Sequence, residues 1–210
     1  MSYIIFLEKI HSLYKSITIK GYSVNRCPAA AQIHIHRNGG KEDKMYKSYT
    51  YGAVSAKEIP EKLLVFYERH KKYDCPFRIT IGTDSQAHGR MTKIATVVVI
   101  TCEGHGGIFF YKERMVPKIK SVKEKLYTET QDSLEAAGEI ADAIDNDEKY
   151  LEMSDSCPIS IHVDAGNSRK GKTWSLIPEI TGWVQMCGYD CKVKPESCMA
   201  SKVADRVART

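Results

Sequence analysis

The sequence predicts an α/β fold with a five-stranded sheet, in which the first three strands are antiparallel. Two observations lead to this prediction. Between residues 77 and 115 three β-rich runs are separated only by short turns, and after residue 120 segments with helically spaced apolar residues alternate with short apolar runs. The resulting order, β-β-β-α-β-α-β-α, is typical of one sheet flanked by helices.

The first core elements are a helix and three strands. Apolar residues at helical spacing predict an amphipathic helix from Ala56 to Lys72, in which Pro60 is tolerated because it lies in the first turn. The strands that follow are FRITIGTD (Phe77 to Asp84), TKIATVVVIT (Thr92 to Thr101) and GIFFYKERM (Gly107 to Met115). We expect these consecutive strands to pair antiparallel.

The second half of the chain alternates helices with strands. Apolar and small residues recur near helical spacing from about Val122 to Ile144, which predicts a long helix. The elements after it are the strand PISIHVDA (158–165), a helix from about Thr173 to Met186, the short strand DCKVKP (190–195) and a last helix from Met199 to Ala208. Gly188 is expected to terminate the helix before it.

Length and composition indicate one soluble domain. The 210 residues are 42% hydrophobic and 27% charged, which is not typical of disordered or fibrous proteins. Residues 1 to 44 end in a polar Gly-rich stretch and are interpreted as an N-terminal extension of unknown structure before a domain over 45 to 210. His34 and His36 in this extension share one face of a strand-like segment and are interpreted as an exposed edge rather than a metal pair.

The seven cysteines predict free thiols. Their number is odd, no CxxC pair occurs and no secretory leader precedes them, so a reducing cytoplasmic location is expected. No stretch approaches the roughly 18 apolar residues of a membrane span, so no membrane partner is expected. The stretch CEGHGG is interpreted as a turn, and Cys102 and His105 within it as turn residues rather than metal ligands.

The basic residues leave room for a polyanionic partner. The net charge is +5, and Lys and Arg gather in residues 112–125, 169–172 and 192–194. Such runs are more often solvated faces than binding sites, so nucleic-acid binding is permitted by the charge but not required by it.

One Gly- and Lys-rich loop matches the spacing of a nucleotide-binding phosphate loop. In Gly166-x-x-x-x-Gly171-Lys172-Thr173, backbone N–H groups and Lys172 would bind phosphates, and the Thr173 hydroxyl would bind magnesium. Too few residues follow Thr173 for the later strands that such a domain needs, and no later strand ends in Asp. ATP binding by this loop is therefore the alternative function.

Four acidic residues occupy positions from which strands and helices can bring them together. Asp84 ends the first core strand, Asp164 ends the fourth, Glu129 lies in the long helix and Asp205 in the last helix. If the fourth strand pairs in parallel with the first, Asp84 and Asp164 lie side by side at the end of the sheet where such folds bind ligands. Each Asp alone could instead cap a turn. Together they favour Mg²⁺, which prefers oxygen ligands.

Five segments carry a resemblance to a known family. They are IGTDSQ (Ile81 to Gln86), LYTETQDS (Leu126 to Ser133), HVDAGNSRKGKT (His162 to Thr173), GWVQMCGYDCKVKPES (Gly182 to Ser197) and ASKVADRVA (Ala200 to Ala208). Through them residues 45 to 210 resemble the bacterial YkuK-type family of predicted ribonuclease H-like nucleases. The resemblance implies a ribonuclease H-like fold, with a mixed five-stranded sheet in which two parallel strands follow the three antiparallel ones. It also implies four acids around two metal ions, at positions matched here by Asp84, Glu129, Asp164 and Asp205. Glu135 or Glu139 is the alternative helical ligand.

These observations predict a metal-dependent nuclease. It would hydrolyse phosphodiester bonds of RNA, DNA or a hybrid with Mg²⁺ or Mn²⁺ as cofactor, and the four acids would hold two ions about 3.5 to 4 Å apart, with Asp84 and Asp164 binding both. Lys170, Lys172 and Lys194 would contact substrate phosphates. A catalytically silent nucleic-acid-binding module is a further alternative.

Overall fold

The structure is a computed structural model that describes residues 45–166, 173–197 and 199–209. The strands in these ranges are β1 (Tyr46–Ser48), β2 (Gly52–Val54), β3 (Phe77–His88), β4 (Met91–Cys102), β5 (Gly107–Pro117), β6 (Ile159–Val163) and β7 (Asp190–Val193). The α-helices in these ranges are α1 (Ile59–His70), α2 (Val122–Asp145), α3 (Leu151–Ser156), α4 (Ile177–Met186) and α5 (Met199–Arg209).

The strands of the described residues form one seven-stranded sheet in the order β2-β1-β5-β4-β3-β6-β7. β3, β4 and β5 are antiparallel neighbours, β6 is parallel to β3, and β7 is parallel to β6. The predicted three antiparallel strands followed by two parallel strands are confirmed. The predicted number of five is too low because the β1–β2 hairpin adds two strands beside β5. Each of these has three residues, too few to give a recognisable alternating pattern.

β3 is longer than the sequence predicted. Its pairing with β4 continues to the last residue of the strand, across a two-residue turn in which Gly89 adopts a positive φ of 59°. Asp84 therefore lies inside β3 and does not end it, which corrects the prediction. The parallel pairing with β6 does stop nearby, at Gly82 opposite His162, so Asp84 lies just beyond the point where the parallel partner ends.

Helices cover both faces of the sheet. On one face α1, α2 and α4 share a core with β3 and β4, in which Ile79 and Ile81 of β3 are fully buried against residues such as Ile140 of α2. On the other face α5 packs Ala204 and Val207 against β4. Full burial of each large aliphatic side chain contributes roughly 1.5 to 3 kcal/mol. This packing fixes α2 and α5 relative to β3, the strand that carries Asp84.

Cys75 and Cys102 form a disulfide, with Cα atoms 5.9 Å apart. The expectation that the cysteines are all free thiols is wrong for this pair. The two residues are 27 positions apart in sequence, and only the antiparallel pairing of β3 with β4, which sets Phe77 opposite Cys102, brings them together. Cys157, Cys187 and Cys191 are free among the described cysteines.

Two sequence-based interpretations fall outside the described residues. The extension over 1–44, with His34 and His36, is one of them, and the division at 44/45 stays a prediction. The central part of the Gly- and Lys-rich loop, residues 167–172, is the other. Among the described helices none is long and apolar enough to cross a membrane.

Candidate active site

The middle of β3 supplies the first acidic residue of the site. Asp84 is 5% exposed, and its Oδ1 atom accepts hydrogen bonds from the backbone N–H of Ser85 (2.8 Å) and from Nζ of Lys125 (3.2 Å). Along a strand successive side chains point to opposite faces. The side chains of Asp84 and Ser85 therefore point to opposite faces of the sheet. The Ser85 side chain contacts α2.

Glu129 lies in α2, whose start is set by Ser121, because the Ser121 hydroxyl accepts a hydrogen bond from the N–H of Glu124 (3.0 Å). The Glu129 side chain is buried, and its Oε1 accepts a hydrogen bond from the Ser85 hydroxyl at 2.7 Å. Burial raises the pKa of Glu129 to about 8, against the opposing effects of Lys125 and Ser85, and the charge of Asp84 adds to the rise. A cation bound next to this buried carboxyl would therefore strongly favour its ionised form.

Lys125 connects the first two acids. Its Nζ lies 3.2 Å from Asp84 Oδ1 and 3.4 Å from Glu129 Oε1, and it donates to the backbone oxygen of Ser85 at 2.8 Å. Burial would lower the pKa of Lys125, but the carboxylates of Glu129 and Asp84 outweigh it and raise the pKa. The ammonium group therefore remains charged between the two carboxyl groups.

Asp164 and Lys194 form a second pair beside the first. They follow the paired ends of β6 and β7, Val163 opposite Val193, and Lys194 Nζ lies 2.5 Å from Asp164 Oδ1. The constant offset of the β3–β6 register also sets Asp164 level with Asp84, two positions beyond the last paired residues. The predicted juxtaposition of these two acids agrees with this register.

A further carboxylate, that of Asp205, also affects the pKa of Lys194. It is raised mainly by the hydrogen bond to Asp164, against a smaller opposing effect of burial, and the charges of Asp164, Asp84 and Asp205 add to the rise. Asp205 is half-buried on α5, and its Oδ1 accepts a hydrogen bond from Nε of Arg209 at 2.8 Å. One ammonium group thus lies in the field of acids from β3, the end of β6 and α5.

The alternative helical acids contact other parts of the protein. Oε2 of Glu139 lies 3.1 Å from Nζ of Lys112 on β5, and Glu135 accepts a hydrogen bond from Gln131 on its own helix. Glu129, by contrast, contacts Ser85 and Lys125. Among the sequence-predicted phosphate contacts, Lys170 and Lys172 lie outside the described residues, and Lys194 lies within the acid group.

The two described ends of the Gly- and Lys-rich loop contact each other. The hydroxyl of Thr173 accepts a hydrogen bond from the N–H of Gly166 at 3.1 Å and lies 3.4 Å from its carbonyl oxygen. A regular α-helix begins only at Ile177, after a 3₁₀ turn. The Thr173 hydroxyl is thus engaged in closing the loop rather than presented to a ligand, which does not favour the ATP alternative.

Two contributors to this site were not singled out from the sequence. Lys125 lies four residues before Glu129, a spacing that places both on one helix face, and this was the available signal. The charge pattern alone instead favours a solvated face for the basic run that ends at Lys125. Ser85 directly follows Asp84, but its contact with Glu129 depends on where α2 crosses β3, which no local pattern encodes.

The donor atoms suit a hard divalent cation. Asp84, Glu129, Asp164 and Asp205 offer carboxylate oxygens, the ligands that Mg²⁺ and Mn²⁺ take. The acids already attract cationic groups, since Lys125 contacts Asp84 and Glu129 while Lys194 contacts Asp164. The residues present therefore fit metal ions held in this acid group.

The comparisons with known proteins agree with this architecture. The chain is 28% identical over 171 residues to the protein YkuK of Bacillus subtilis (strain 168), itself described as uncharacterized, and the match covers 79% of this chain and 97% of that protein. A family model described as Ribonuclease H-like matches residues 58–209, a range that runs from the start of α1 to the end of α5. The chain therefore belongs to the ribonuclease H-like family, together with YkuK-type proteins.

Proposed function

We propose that this protein is a divalent-metal-dependent nuclease that hydrolyses phosphodiester bonds of nucleic acid. The observation that carries the proposal is the acid group itself, in which carboxyls from β3, α2, the end of β6 and α5 gather around two ammonium groups. Membership of the ribonuclease H-like family supports a role in nucleic-acid chemistry. A cytoplasmic location is part of the proposal.

The four acids would divide the metal ligands between them. Asp84 and Asp164 would contact both ions because each lies two residues beyond the last pair of β3 with β6, while Glu129 and Asp205 would each complete one site. Mg²⁺ or Mn²⁺, when bound, activates water and stabilises the leaving oxygen in phosphodiester hydrolysis. The protein's own contribution is to hold the carboxylates in place, through Ser85 on Glu129 and through the packing of α5 on β4.

Lys125 and Lys194 would contact phosphates of the substrate once metal ions are bound to the carboxylates. Each ammonium neutralises acids in the metal-free protein, at 3.2 Å from Asp84 and 2.5 Å from Asp164 respectively. Long flexible lysine side chains can move away from a carboxylate and contact a phosphate as point charges. Lys194 keeps its proposed phosphate contact in this way, and Lys170 and Lys172 remain proposed contacts of the same kind.

The test is a cleavage assay on the purified full chain. Single- and double-stranded RNA and DNA and an RNA–DNA hybrid are incubated with Mg²⁺, Mn²⁺ or a chelator. We expect metal-dependent cleavage of at least one substrate by the wild type and its loss in Asp84→Asn. The matched control is Asp190→Asn, which alters an exposed acid at the first residue of β7 and should cleave normally.

The remaining outcomes separate the alternatives. Equal cleavage by wild type and Asp84→Asn would assign the activity to a contaminant and contradict the proposal. Substrate binding without cleavage under every metal condition would favour the catalytically silent module. ATP binding that is lost in Lys172→Ala, in a protein without nuclease activity, would favour the phosphate-loop alternative.

A further inference from the structure

A second group of metal-ligand side chains lies near the start of β3, away from the acids. Cys75 lies two residues before β3, Cys102 is the last residue of β4, and His105 lies in the turn that leads to β5. Asp84 lies seven residues further along β3 than Phe77, the partner of Cys102. The two groups therefore occupy separate parts of the same strand pair.

The three ligand atoms already lie close together. The sulfur atoms of Cys75 and Cys102 and a ring nitrogen of His105 are all within 4.8 Å of one another. Backbone hydrogen bonds hold the turn in shape, from His105 N–H to Cys102 O (2.9 Å) and from Cys102 N–H to Gly106 O (3.0 Å). The bond from Glu103 N–H to Pro76 O (3.1 Å) ties the turn to the segment that contains Cys75. Little backbone rearrangement is needed to present these atoms to one ion.

One ring nitrogen of His105 is engaged in a hydrogen bond with the backbone. Its Nδ1 lies 3.1 Å from the backbone oxygen of Glu103, and because a carbonyl oxygen can only accept, Nδ1 must carry the proton. The lone pair is then on Nε2. Metal-binding histidines usually donate their other N–H to a carbonyl or carboxylate in this manner. Stacking on Tyr73, with ring centroids 4.2 Å apart, further fixes the ring.

We propose that Cys75, Cys102 and His105 bind a thiophilic divalent cation of the Zn²⁺ class when the two cysteines are reduced. Two thiolates and one imidazole are a donor set typical of Zn²⁺ and unlike the all-oxygen set of the acid group. His105 is exposed, so water can complete the coordination. The site and the Cys75–Cys102 disulfide are mutually exclusive, since the same sulfur atoms serve both.

The site becomes available when a phosphine reduces the Cys75–Cys102 disulfide. One phosphine and one water convert the disulfide to two thiols and a phosphine oxide: the S–S bond receives two electrons and two protons, and the phosphorus gains the oxygen. Binding of the cation then releases the two thiol protons, because thiolates are the ligands. Uptake of the metal is therefore expected to increase with pH and to vanish in the oxidised protein.

The experiment uses Co²⁺ and Zn²⁺ on the full chain. The protein is reduced with the phosphine, or left oxidised, and equilibrated with each ion in excess Mg²⁺. We expect the near-ultraviolet charge-transfer absorption of thiolate–Co²⁺ bonds, and one Zn²⁺ per chain by elemental analysis, in the reduced protein only. Cys75→Ser and His105→Ala should each weaken Zn²⁺ binding by about 100-fold or more, at least the loss seen when an outer partner of a ligand is changed.

Controls separate this site from other thiols and from the acids. Cys191→Ser removes a half-buried free thiol and should retain the charge-transfer absorption, as should Asp84→Asn. His105→Ala alters an exposed turn residue, so it tests the site even if a cysteine variant folds poorly. Absence of thiolate–Co²⁺ absorption in the reduced wild type, or its full retention in folded Cys75→Ser or His105→Ala, would overturn the proposal.

Discussion

Two groups of side chains at different points along β3 and its neighbour β4 differ in the ligand atoms that they offer to a cation. Around Asp84 the donors are carboxylate oxygens, two of them from buried residues, and lysines neutralise them. Around Cys75 and Cys102 the donors are sulfur and imidazole nitrogen, and a covalent bond joins the two sulfurs. Since the strands are shared, ligand chemistry rather than fold decides which ion each place prefers.

The two places also have opposite effects on stability. A buried carboxyl such as Glu129 opposes folding when it is ionised, because its charge is removed from water. A disulfide that closes a long loop favours folding by restricting the unfolded chain. The acid group is thus a cost that function can justify, while the sulfur pair stabilises the domain that carries it.

The largest expected effect is that a changed ligand in either group abolishes or weakens binding of that group's ion and leaves binding of the other ion intact. Asp164→Asn should weaken Mn²⁺ binding by on the order of 100-fold because it removes a carboxylate ligand and leaves Lys194 unpaired beside the remaining acids. The same variant, when reduced, should take up Zn²⁺ normally. Cys75→Ser should show the reverse pattern, and calorimetric titration of both variants with both ions measures it. Loss of both ions in one folded variant would contradict the separation of the two groups.

Reduction of the disulfide should have the next largest effect. The bond links residues 27 positions apart, so its loss in metal-free protein should lower the free energy of unfolding by about 3 kcal/mol. Urea denaturation of oxidised and reduced protein measures the difference. Cys102→Ser should match the reduced wild type, with Cys187→Ser as the control that changes nothing in this bond. Equal stability of the oxidised and reduced forms would contradict a stabilising role.

Glu129→Gln should stabilise the metal-free protein at alkaline pH. Burial raises the pKa of Glu129 to about 8 from 4.5, so the stability this group contributes is present below about pH 4.5 and is lost as the pH rises through 8. Gln imitates the neutral form, and the variant should exceed the wild type by on the order of 1 to 3 kcal/mol near pH 9 in chelator.

The measurement for this variant is thermal or urea unfolding at pH 5 and pH 9. The advantage of Glu129→Gln should be larger at pH 9 than at pH 5. Glu179→Gln, at an exposed position of α4, should show no such pH dependence. A variant less stable than the wild type at pH 9 would mean that Lys125 and Ser85 outweigh the burial of the charge.

The smallest expected effect concerns the pair on α5. Arg209→Ala removes an exposed ion pair with Asp205, and helical pairs at this spacing contribute less than about 0.5 kcal/mol. We expect little change in stability and no loss of Mn²⁺ affinity, since Asp205 becomes free to bind the ion. A marked fall in affinity would show instead that Arg209 holds Asp205 in the position from which it binds the ion.

Local patterns were sufficient for the long elements and insufficient for the contacts between them. β4 and α2 have enough residues for apolar spacing to identify them, whereas β1 and β2, with three residues each, do not. The parallel pairing of β6 with β3 was expected from the family resemblance, and it leaves Asp84 and Asp164 two residues beyond its last pair. The true end of β3 could not be predicted from the sequence, because antiparallel pairing with β4 extends the strand beyond Asp84.

The missed contributors share one physical reason. Each depends on a partner that is distant in sequence. Lys125 lies 41 residues from Asp84, and Ser85 lies 44 residues from Glu129. The two cysteines of the disulfide are 27 residues apart. Such contacts depend on how an entire helix or strand is placed. Spacing rules describe one element at a time, so they identified the acids but not the groups that neutralise or orient them.

The β1–β2 hairpin determines what the sheet offers to other molecules at its border. β1 lies along the middle of β5, with Lys47 opposite Tyr111, and leaves the three-residue β2 outermost. Without residues 46–54 the eleven-residue β5 would become a border strand with unpaired amide and carbonyl groups, which is a template for intermolecular strand addition. The short hairpin therefore covers the middle of a strand edge that would otherwise be open to backbone pairing.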